Sequence, residues 1–404
     1  MATALIIGGS VGGLFAAHLL RQVGFDVMVF ERATGDLGDR GTGIGTRAEL
    51  FAVMRRIGLV ADPAGEVAVR GRIGLGRDGQ IVHEAMLPAI TSAWSRIWRP
   101  LREALPDDCY AGRAALARIE LRPERVTAIF ADGSRQDGEL LIGADGLHSM
   151  VRAQLLPAVK PGYAGYVAWR GVVEEPELGG NIHDLLFHHM VFGFPDGELM
   201  LSIPMPGPQH GAHSGERRCH FVWFRPVAEA ALAALCTDAD GRAHGLSIPP
   251  PLIRPELIAA LRRDADELLA PQLAMAVKAA AQIILQPIFD LESRRVVMDR
   301  VALIGDAAFV ARPHVASGVM KAALDAEALA DALAASPGDV NTALRRYNDQ
   351  RQAYGAWLVE RGRHIGATIL SRSIEPRQRI ETVMREYGAA GVVRDQPIAA
   401  RVAG

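Results

Sequence analysis

A glycine-rich segment near the N-terminus has the residue types and spacing to bind the phosphates of a dinucleotide. Gly8, Ser10 and Gly13 occupy the three glycine positions of a G-x-G-x-x-G motif, with serine in the middle position. The motif follows an apolar run and opens a helical pattern, so that the free N–H groups of a helix start would face a pyrophosphate. Glu31 ends the next apolar run, where a carboxylate can accept a ribose hydroxyl. A plain glycine-rich turn is the alternative, but the context favours a dinucleotide site.

Two further carboxylates follow apolar runs later in the chain. Asp145 comes after the run at residues 140–143, and Asp306 comes after the run at residues 301–305. Ligands of open α/β sheets bind at the carboxyl ends of the strands. Each segment alone is also typical of a turn or a helix cap. Gly318 opens a second helix downstream, whose N-terminus could help to hold an electron-rich ring.

The pattern of elements predicts a mixed α/β chain. Strand, turn, helix and strand within residues 4–30 form a βαβ unit. Residues 72–86 predict a hairpin, and residues 163–225 are β-rich, with His188 and His189 placed in a strand. Residues 254–285, 319–335 and about the last 60 residues have helical patterns.

The amino-acid composition excludes some classes of function. The 404 residues are 49% hydrophobic and 22% charged, with a net charge of −2, which argues against a polyanion-binding protein. Three scattered cysteines and twelve histidines show no ligand spacing, so we expect neither disulfides nor a metal. A basic leader and a long apolar stretch are not seen, so we expect a cytoplasmic protein without membrane or nucleic-acid partners.

The three segments in this order resemble the FAD-dependent aromatic hydroxylases, the single-component flavoprotein monooxygenases, over roughly residues 4–335. Residues 41–44, 164–171 and 305–322 are similar to the 2,6-dihydroxypyridine 3-hydroxylase branch. The resemblance implies an α/β fold that is α+β in its middle segment, with a Rossmann-like FAD-binding domain, an inserted β-rich substrate domain and C-terminal helices. The implied boundaries are 1–70, 95–162 and 286–340 for the FAD domain, 71–94 and 163–285 for the substrate domain, and 341–404 for the C-terminal segment.

The resemblance also implies which residues bind the cofactor. Three positions depart from the usual family pattern, namely Phe309, Met320 and Trp98, and the first two departures are shared with the dihydroxypyridine branch. Trp98 replaces an arginine that contacts the flavin nucleotide, and Arg99 or Arg102 could take its place. The cofactor-binding residues that we expect are Gly8, Ser10, Val11, Gly12, Gly13, Glu31, Arg32, Gly43, Arg102, Asp145, Asp306, Gly318 and Val319.

The activity implied is hydroxylation of a phenol or hydroxypyridine ring through a flavin C4a-hydroperoxide, with O2 and with NADH or NADPH as a transient reductant. His314 is our candidate acid–base group, and Pro313 could aim its carbonyl at the reacting oxygen. Tyr166, Trp169 and Trp223 are the expected substrate contacts, although tryptophans in strands are more often core residues.

Other functions stay open at this point. Baeyer–Villiger or epoxidising chemistry on a non-aromatic substrate, and a non-catalytic flavoprotein that binds a small molecule, are the alternatives. A plain NAD dehydrogenase would explain neither Asp145 nor Asp306. The sequence does not select the substrate, the choice between NADH and NADPH, or the oligomeric state, for which a homodimer is one alternative.

Overall fold

Two large β-sheets organise the protein. The computed structural model describes residues 2–38, 43–60, 65–179, 181–207 and 211–388. Within them, one sheet has six strands, another has eight, and two smaller sheets have three strands each.

The strands and helices follow one another along the whole chain. In order, the strands are β1 (Ala2–Ile7), β2 (Phe25–Phe30), β3 (Gly43–Thr46), β4 (Val67–Val69), β5 (Gly71–Leu75), β6 (Ile81–Ala85), β7 (Ala89–Ala93), β8 (Tyr110–Ala111), β9 (Leu116–Leu121), β10 (Val126–Phe130), β11 (Arg135–Gly138), β12 (Leu140–Gly143), β13 (Gly162–Glu174), β14 (His189–Gly193), β15 (Leu199–Met205), β16 (Arg218–Pro226), β17 (Ile283–Glu292), β18 (Val297–Met298), β19 (Val301–Leu303) and β20 (Phe309–Val310). The helices are α1 (Val11–Gln22), α2 (Ala48–Arg56), α3 (Trp94–Glu103), α4 (Met150–Leu155), α5 (Asn181–His188), α6 (Glu229–Leu235), α7 (Pro255–Leu268), α8 (Pro271–Ala279), α9 (Gly318–Ala334), α10 (Val340–Leu370) and α11 (Pro376–Glu386).

The six-stranded sheet has the order β18-β19-β12-β1-β2-β8 and is parallel apart from β18. Its central strand β1 pairs with β2 and β12, and Ala4, Leu5 and Ile6 are buried in one continuous run. Such a run is typical of a parallel sheet with both faces covered. Helices α1 and α9 pack against each other and share this core. The arrangement confirms the Rossmann-like unit predicted from the sequence.

The eight-stranded sheet has the order β20-β17-β13-β16-β15-β14-β5-β6. All its neighbouring strands are antiparallel except β14 and β5. Side chains on one face, including Trp169 and Trp223, share a core with α7 and α8. Side chains on the other face, including Val222 and Phe224, share a core with α10 and α11. The alternation of strand residues therefore places neighbouring positions in two different environments.

The C-terminal helices connect the two sheets. Tyr347 of α10 donates a hydrogen bond to the carbonyl of Leu303, at 2.8 Å, at the end of β19 in the six-stranded sheet. Arg379 of α11 donates to the carbonyls of Phe194 and Pro195, at 3.1 and 3.0 Å, just after β14 of the eight-stranded sheet. Helices α10 and α11 thus fix the position of one sheet relative to the other.

The mixed α/β fold and the hairpin of β5 and β6 confirm the sequence predictions. One local prediction is wrong, because His188 ends α5 and only His189 lies in a strand. The boundary expected at residue 286 falls inside β17, which belongs to the eight-stranded sheet. The expected boundaries at residues 1 and 404 lie outside the described residues, as do residues 41 and 42 of the resemblance.

In the described part of the chain, no helix combines the length and the apolar composition needed to cross a bilayer.

Candidate active site

A cleft at the carboxyl ends of β1, β2 and β12 contains the predicted nucleotide-binding residues. Its volume is about 390 Å³, and we call it the nucleotide cleft. Gly8, Ser10, Glu31, Arg32 and Asp145 line it together. This edge of an open parallel sheet is where such folds bind ligands. His148, to which we assigned no role from the sequence, lines the same cleft.

Close backbone contacts explain two of the glycines in the motif. Gly8 has a φ of +113°, and a Cβ atom there would lie 2.4 Å from the carbonyl oxygen of Ala144. A Cβ atom at Gly13 would lie 1.9 Å from the carbonyl oxygen of Gly8. Neither position can take a side chain unless the backbone moves. The loop therefore presents a cradle of bare backbone next to the start of α1.

The start of α1 supplies a positively charged end and Glu31 supplies a carboxylate, and both can bind a dinucleotide. The Ser10 side chain makes no capping hydrogen bond to α1, and the first turn has no acidic residue. The first N–H groups of a helix have no acceptor within it, and this end carries positive charge. The Glu31 carboxylate accepts hydrogen bonds from the N–H groups of Gly9 and Ala33, each at 2.8 Å, which fixes its position. The cradle, the helix start and this carboxylate fit the diphosphate and ribose of FAD.

Asp145 also shapes the cleft through its backbone contacts. Its Oδ2 accepts hydrogen bonds from the N–H groups of Met150 at 2.7 Å and Val151 at 3.2 Å. These bonds hold the start of α4 beside the cleft. Burial raises the pKa of the Asp145 carboxyl.

Arg102 does not reach the nucleotide cleft, which corrects our prediction. Its guanidinium lies 4.3 Å from the centre of the Tyr110 ring and bonds to Asp107 at 2.8 Å. Arg102 and Arg99 line a separate cleft with Trp98 and Tyr110. Trp98 itself donates from Nε1 to the carbonyl of Gly9, at 2.9 Å. The tryptophan therefore holds the glycine loop directly, at the position where relatives are expected to carry an arginine.

Asp306 lies in the turn Gly305–Ala307 that follows β19, beside a second cavity of about 270 Å³. Pro313, Gly318 and Lys321 line the same cavity. The Lys321 ammonium is buried, lies 3.2 Å from Asp306 Oδ1 and donates to the carbonyl of Phe309 at 2.6 Å. Lys321 thus orients the Asp306 carboxylate, a role that sequence reasoning missed.

A third cavity, of about 540 Å³, lies between the loop at residues 313–320 and the eight-stranded sheet; we call it the ring cavity. Gly43 on β3, Pro313, Gly318 and Val319 line one part of it. Arg170 and His220 line the sheet side. The structure therefore brings the residues expected to meet the flavin into the same cavity as polar side chains of the sheet.

Trp169 and Trp223 do not line the ring cavity, which corrects our prediction that they contact the substrate. They face each other across β13 and β16, and their side chains share the core with α7 and α8. Trp223 donates from Nε1 to Glu198 at 2.7 Å. Because side chains alternate along a strand, Arg170 and Val222 point to the cavity and the tryptophans point away.

The structure also argues against His314 as the acid–base group. Its ring is completely buried, and the residue does not line the ring cavity. Its Nε2 is 2.6 Å from the Tyr166 hydroxyl, and burial lowers the pKa of His314 to about 3. Tyr166 is fully buried too, so it contacts His314 rather than a ligand in the ring cavity. A neutral imidazole with so low a pKa is a poor proton acceptor at neutral pH.

Several residues of the ring cavity were missed from the sequence. Each has a polar end, and they come from strands and from the segment after α11, which are far apart along the chain. They are Arg72, His220 and Tyr387. Arg170, which from the sequence was either a structural ion-pair residue or a substrate contact, lines the cavity with them. The alternation of side chains along β13 is the one local feature of the sequence that could have indicated a cavity residue, because it puts Arg170 on the opposite face from Trp169.

Comparison with known proteins defines the class. Two family models match, a NAD(P)-binding Rossmann-like domain over residues 6–44 and an FAD binding domain-like model over residues 163–290. These matches fit the cleft and the sheet described above, and they indicate a flavoprotein.

Individual relatives and a solved structure are more specific. The chain is 31% identical over 327 residues to a 2,6-dihydroxypyridine 3-monooxygenase of Paenarthrobacter nicotinovorans, covering 81% of each protein. It is 30% identical to a 6-hydroxynicotinate 3-monooxygenase of Pseudomonas fluorescens, covering 50% of this chain and 55% of that one. The solved structure of 2,6-dihydroxypyridine-3-hydroxylase from Arthrobacter nicotinovorans superposes with a TM-score of 0.89, at 28% identity and 98% coverage of both chains. This chain belongs to the FAD-dependent monooxygenases.

Removing the charge of Asp306 should weaken FAD binding. A hydrogen bond from a ligand hydroxyl to a carboxylate contributes about 1.5–3 kcal/mol and one to a neutral acceptor about 0.5–1.5 kcal/mol, so Asp306→Asn should raise the Kd for FAD about 5- to 13-fold. Apoprotein titrated with FAD measures this Kd, and Asp349→Asn, an exposed change on α10, is the matched control. A folded Asp306→Asn protein with the parent Kd would remove Asp306 from the cofactor site.

The buried His314 should make stability depend on pH. Its pKa is about 3 in the folded protein and 6.5 ordinarily, so only the unfolded chain gains a proton as pH falls below 6.5. The folded state should lose about 2 kcal/mol from this residue between pH 7 and pH 5. Urea unfolding at both pH values should show that His314→Gln loses correspondingly less than the parent. Equal losses in both proteins would mean that His314 titrates normally, and its role as a base would return.

Proposed function

We propose that this protein hydroxylates an electron-rich aromatic or N-heteroaromatic ring, of the phenol or hydroxypyridine type, with O2 and NAD(P)H. One observation carries the proposal: the ring cavity has the loop at residues 313–320 on one side and polar side chains of the eight-stranded sheet on the other. Its volume of about 540 Å³ lies in the range of small-molecule sites. The names of the relatives, for a dihydroxypyridine and a hydroxynicotinate, support a heteroaromatic substrate.

The overall reaction needs one reductant and one oxygen molecule. A ring C–H, O2, NAD(P)H and a proton give a ring C–OH, NAD(P)⁺ and water. FAD, when bound, supplies the electron transfer from NAD(P)H and the activation of O2. The protein positions the cofactor and the substrate, provides charged groups beside them and excludes water.

Residues near α9 would orient the cofactor ring. Helix α9 begins at Gly318, and its N-terminal end carries positive charge. This end would stabilise negative charge on the bound flavin ring. Pro313 lines both the ring cavity and the cavity that contains Asp306, so the loop at residues 313–320 lies between the two cavities.

The C-terminal segment would keep water out of the ring cavity. Tyr387 and Gly388 line it, and the Gly388 N–H donates to the His314 carbonyl at 2.7 Å. Water exclusion prevents loss of the activated oxygen before transfer. We assign His314 a positioning role, because it holds both Gly388 and Tyr166 in place.

The remaining predictions concern domains, assembly and location. We propose that the six-stranded sheet with its helices is the FAD domain and that the eight-stranded sheet is the substrate domain. A cytoplasmic location is supported by three free cysteines at positions 109, 219 and 236. A homodimer stays a prediction.

The test is a turnover assay with product analysis. FAD-loaded protein should oxidise NADH or NADPH faster when 2,6-dihydroxypyridine, 6-hydroxynicotinate, 3-amino-4-hydroxybenzoate or urate is added. With isotopically labelled O2, the product should carry one labelled oxygen on the ring. Stimulated oxidation that yields only H2O2, or a lactone or epoxide from a non-aromatic compound, would contradict ring hydroxylation.

A pair of glycine variants makes the assay specific for the nucleotide cleft. Gly8 and Gly24 both have positive φ, but only Gly8 lies in the cleft, and a Cβ at Gly24 would meet nothing within 4 Å. Gly8→Ala should lose bound FAD and turnover together, whereas Gly24→Ala should keep both. Turnover by a Gly8→Ala protein without FAD would overturn the flavin-dependent mechanism.

A further inference from the structure

A strip of apolar side chains runs along one part of the wall of the ring cavity. Met190, Ile203 and Val222 line the cavity from β14, β15 and β16, three neighbouring strands of the eight-stranded sheet. Ala89 and Ile90 on β7 line it as well. Met190 and Val222 belong to one hydrophobic core, and Ala89 and Ile203 pack against it. The polar residues of the cavity therefore occupy only part of its wall.

Two hydrogen bonds fix β7 against this wall. Thr91 donates from its hydroxyl to the carbonyl of Pro204 on β15, at 2.5 Å. Thr46 on β3 donates from its hydroxyl to the carbonyl of Ile90, at 3.2 Å. Because Pro204 follows Ile203 directly, the first bond holds β7 against the strand that carries Ile203. The side chains of β7 and β15 therefore form one continuous apolar surface.

The strip continues from the cavity to the protein surface. Ile90 is 47% exposed, and Leu87 and Met86, which precede β7, are 39% and 76% exposed. Pro88, between them, also lines the cavity. Residues 85–93 include no charged side chain, although about a quarter of the residues of soluble proteins are charged. We call Met86, Leu87 and Ile90 the apolar rim of the ring cavity.

Exposed apolar side chains are concentrated at this rim. Eleven large apolar side chains are exposed in the described part of the chain, and five of them lie within residues 81–90. Single exposed apolar residues are ordinary, whereas a cluster marks a surface that binds a ligand or a partner. A stable interface between proteins buries about 800 Å² on each partner, from about 20–30 residues, which is far more than five side chains supply. The cluster adjoins a cavity of small-molecule size, so it fits part of a ligand in that cavity.

We propose that the substrate ring carries an apolar substituent, such as an alkyl chain, that lies along the apolar strip and leaves the cavity over the apolar rim. This rests on the proposed function and narrows its substrate class. The ring lies beside residues 313–320, and the substituent displaces water from Ile203 and Ile90. Leu87 and Met86 cover its outer end. Each fully buried methylene group is worth about a fourfold gain in affinity, so the strip selects substituted rings over bare ones.

The test uses resorcinols that differ only in the length of one alkyl chain. Isothermal titration calorimetry of the oxidised, FAD-loaded protein gives the Kd of resorcinol and of its 4-alkyl and 5-alkyl derivatives, with methyl, propyl and pentyl chains, without turnover. In at least one of the two series, each added methylene should lower the Kd at least about twofold, because the rim buries the chain only in part. The pentyl compound of that series should then bind at least about 30-fold more tightly than resorcinol.

A pair of serine variants assigns the gain to the strip. Ile90→Ser should raise the Kd of the pentyl compound at least about threefold more than the Kd of resorcinol, because it removes apolar surface beside the chain. Leu252→Ser is the matched control. Leu252 is 43% exposed and lies just before α7, and its neighbour Ile253 belongs to the core on the opposite face of the sheet. This variant should keep the parent ratio of the two Kd values.

Several results would overturn the proposal. They are a Kd that does not fall with chain length in either series, failure of every compound to bind, and an Ile90→Ser protein with the parent ratio of Kd values. Sedimentation velocity tests the other occupant of the rim, a second copy of the chain. A dimer that becomes a monomer in Met86→Ser, with the parent ratio of Kd values kept, would assign the rim to subunit contact instead.

Product analysis separates this inference from the proposed function. Ring hydroxylation of resorcinol or 2,6-dihydroxypyridine, with no gain from an alkyl chain, would leave the proposed function standing and overturn the apolar site. Binding that tightens with chain length, without hydroxylation of any ring, would leave the apolar site and remove the proposed function.

Discussion

One buried ion pair holds together the segments that surround the cavity beside Asp306 and the ring cavity. Asp325 of α9 accepts a hydrogen bond from Arg351 Nε of α10 at 2.6 Å and another from the N–H of Gly305 at 2.9 Å. Both side chains are buried, and removal of one partner would leave an uncompensated charge at a cost of about 3–5 kcal/mol. The end of β19, the start of the turn with Asp306 and both helices are therefore held in one arrangement.

The stretch of chain from Gly305 to Gly318 therefore lines both the cavity beside Asp306 and the ring cavity. Gly305 leads directly to Asp306, and the following loop carries Pro313 and Gly318 into the ring cavity. Helix α10, held by Arg351, continues into α11 and Tyr387, which closes the same cavity.

The features that could be predicted from the sequence depend on residues that are close together along the chain. The glycines of the nucleotide cleft, the βαβ unit and the placement of Asp306 depend on neighbouring residues or on a family pattern. The contacts of the ring cavity depend on distant elements. Alternation separates Trp169 from Arg170, but only the packing of α7 and α8 decides which of them is in the core. His314 adjoins Pro313 in the sequence, yet its ring turns inward to Tyr166. Tyr387 reaches Arg170 only because α10 and α11 fold back across the sheet.

The central claim is that the cofactor ring and the substrate ring share the cavity beside residues 313–320. Its most direct test is the visible absorption spectrum of the bound flavin during titration with 6-hydroxynicotinate. We expect a saturable change in the flavin bands whose midpoint equals the Kd for the same ligand from isothermal titration calorimetry, because an aromatic ring beside the flavin alters its surroundings. Calorimetric binding with an unchanged flavin spectrum would place the ligand elsewhere and contradict the account.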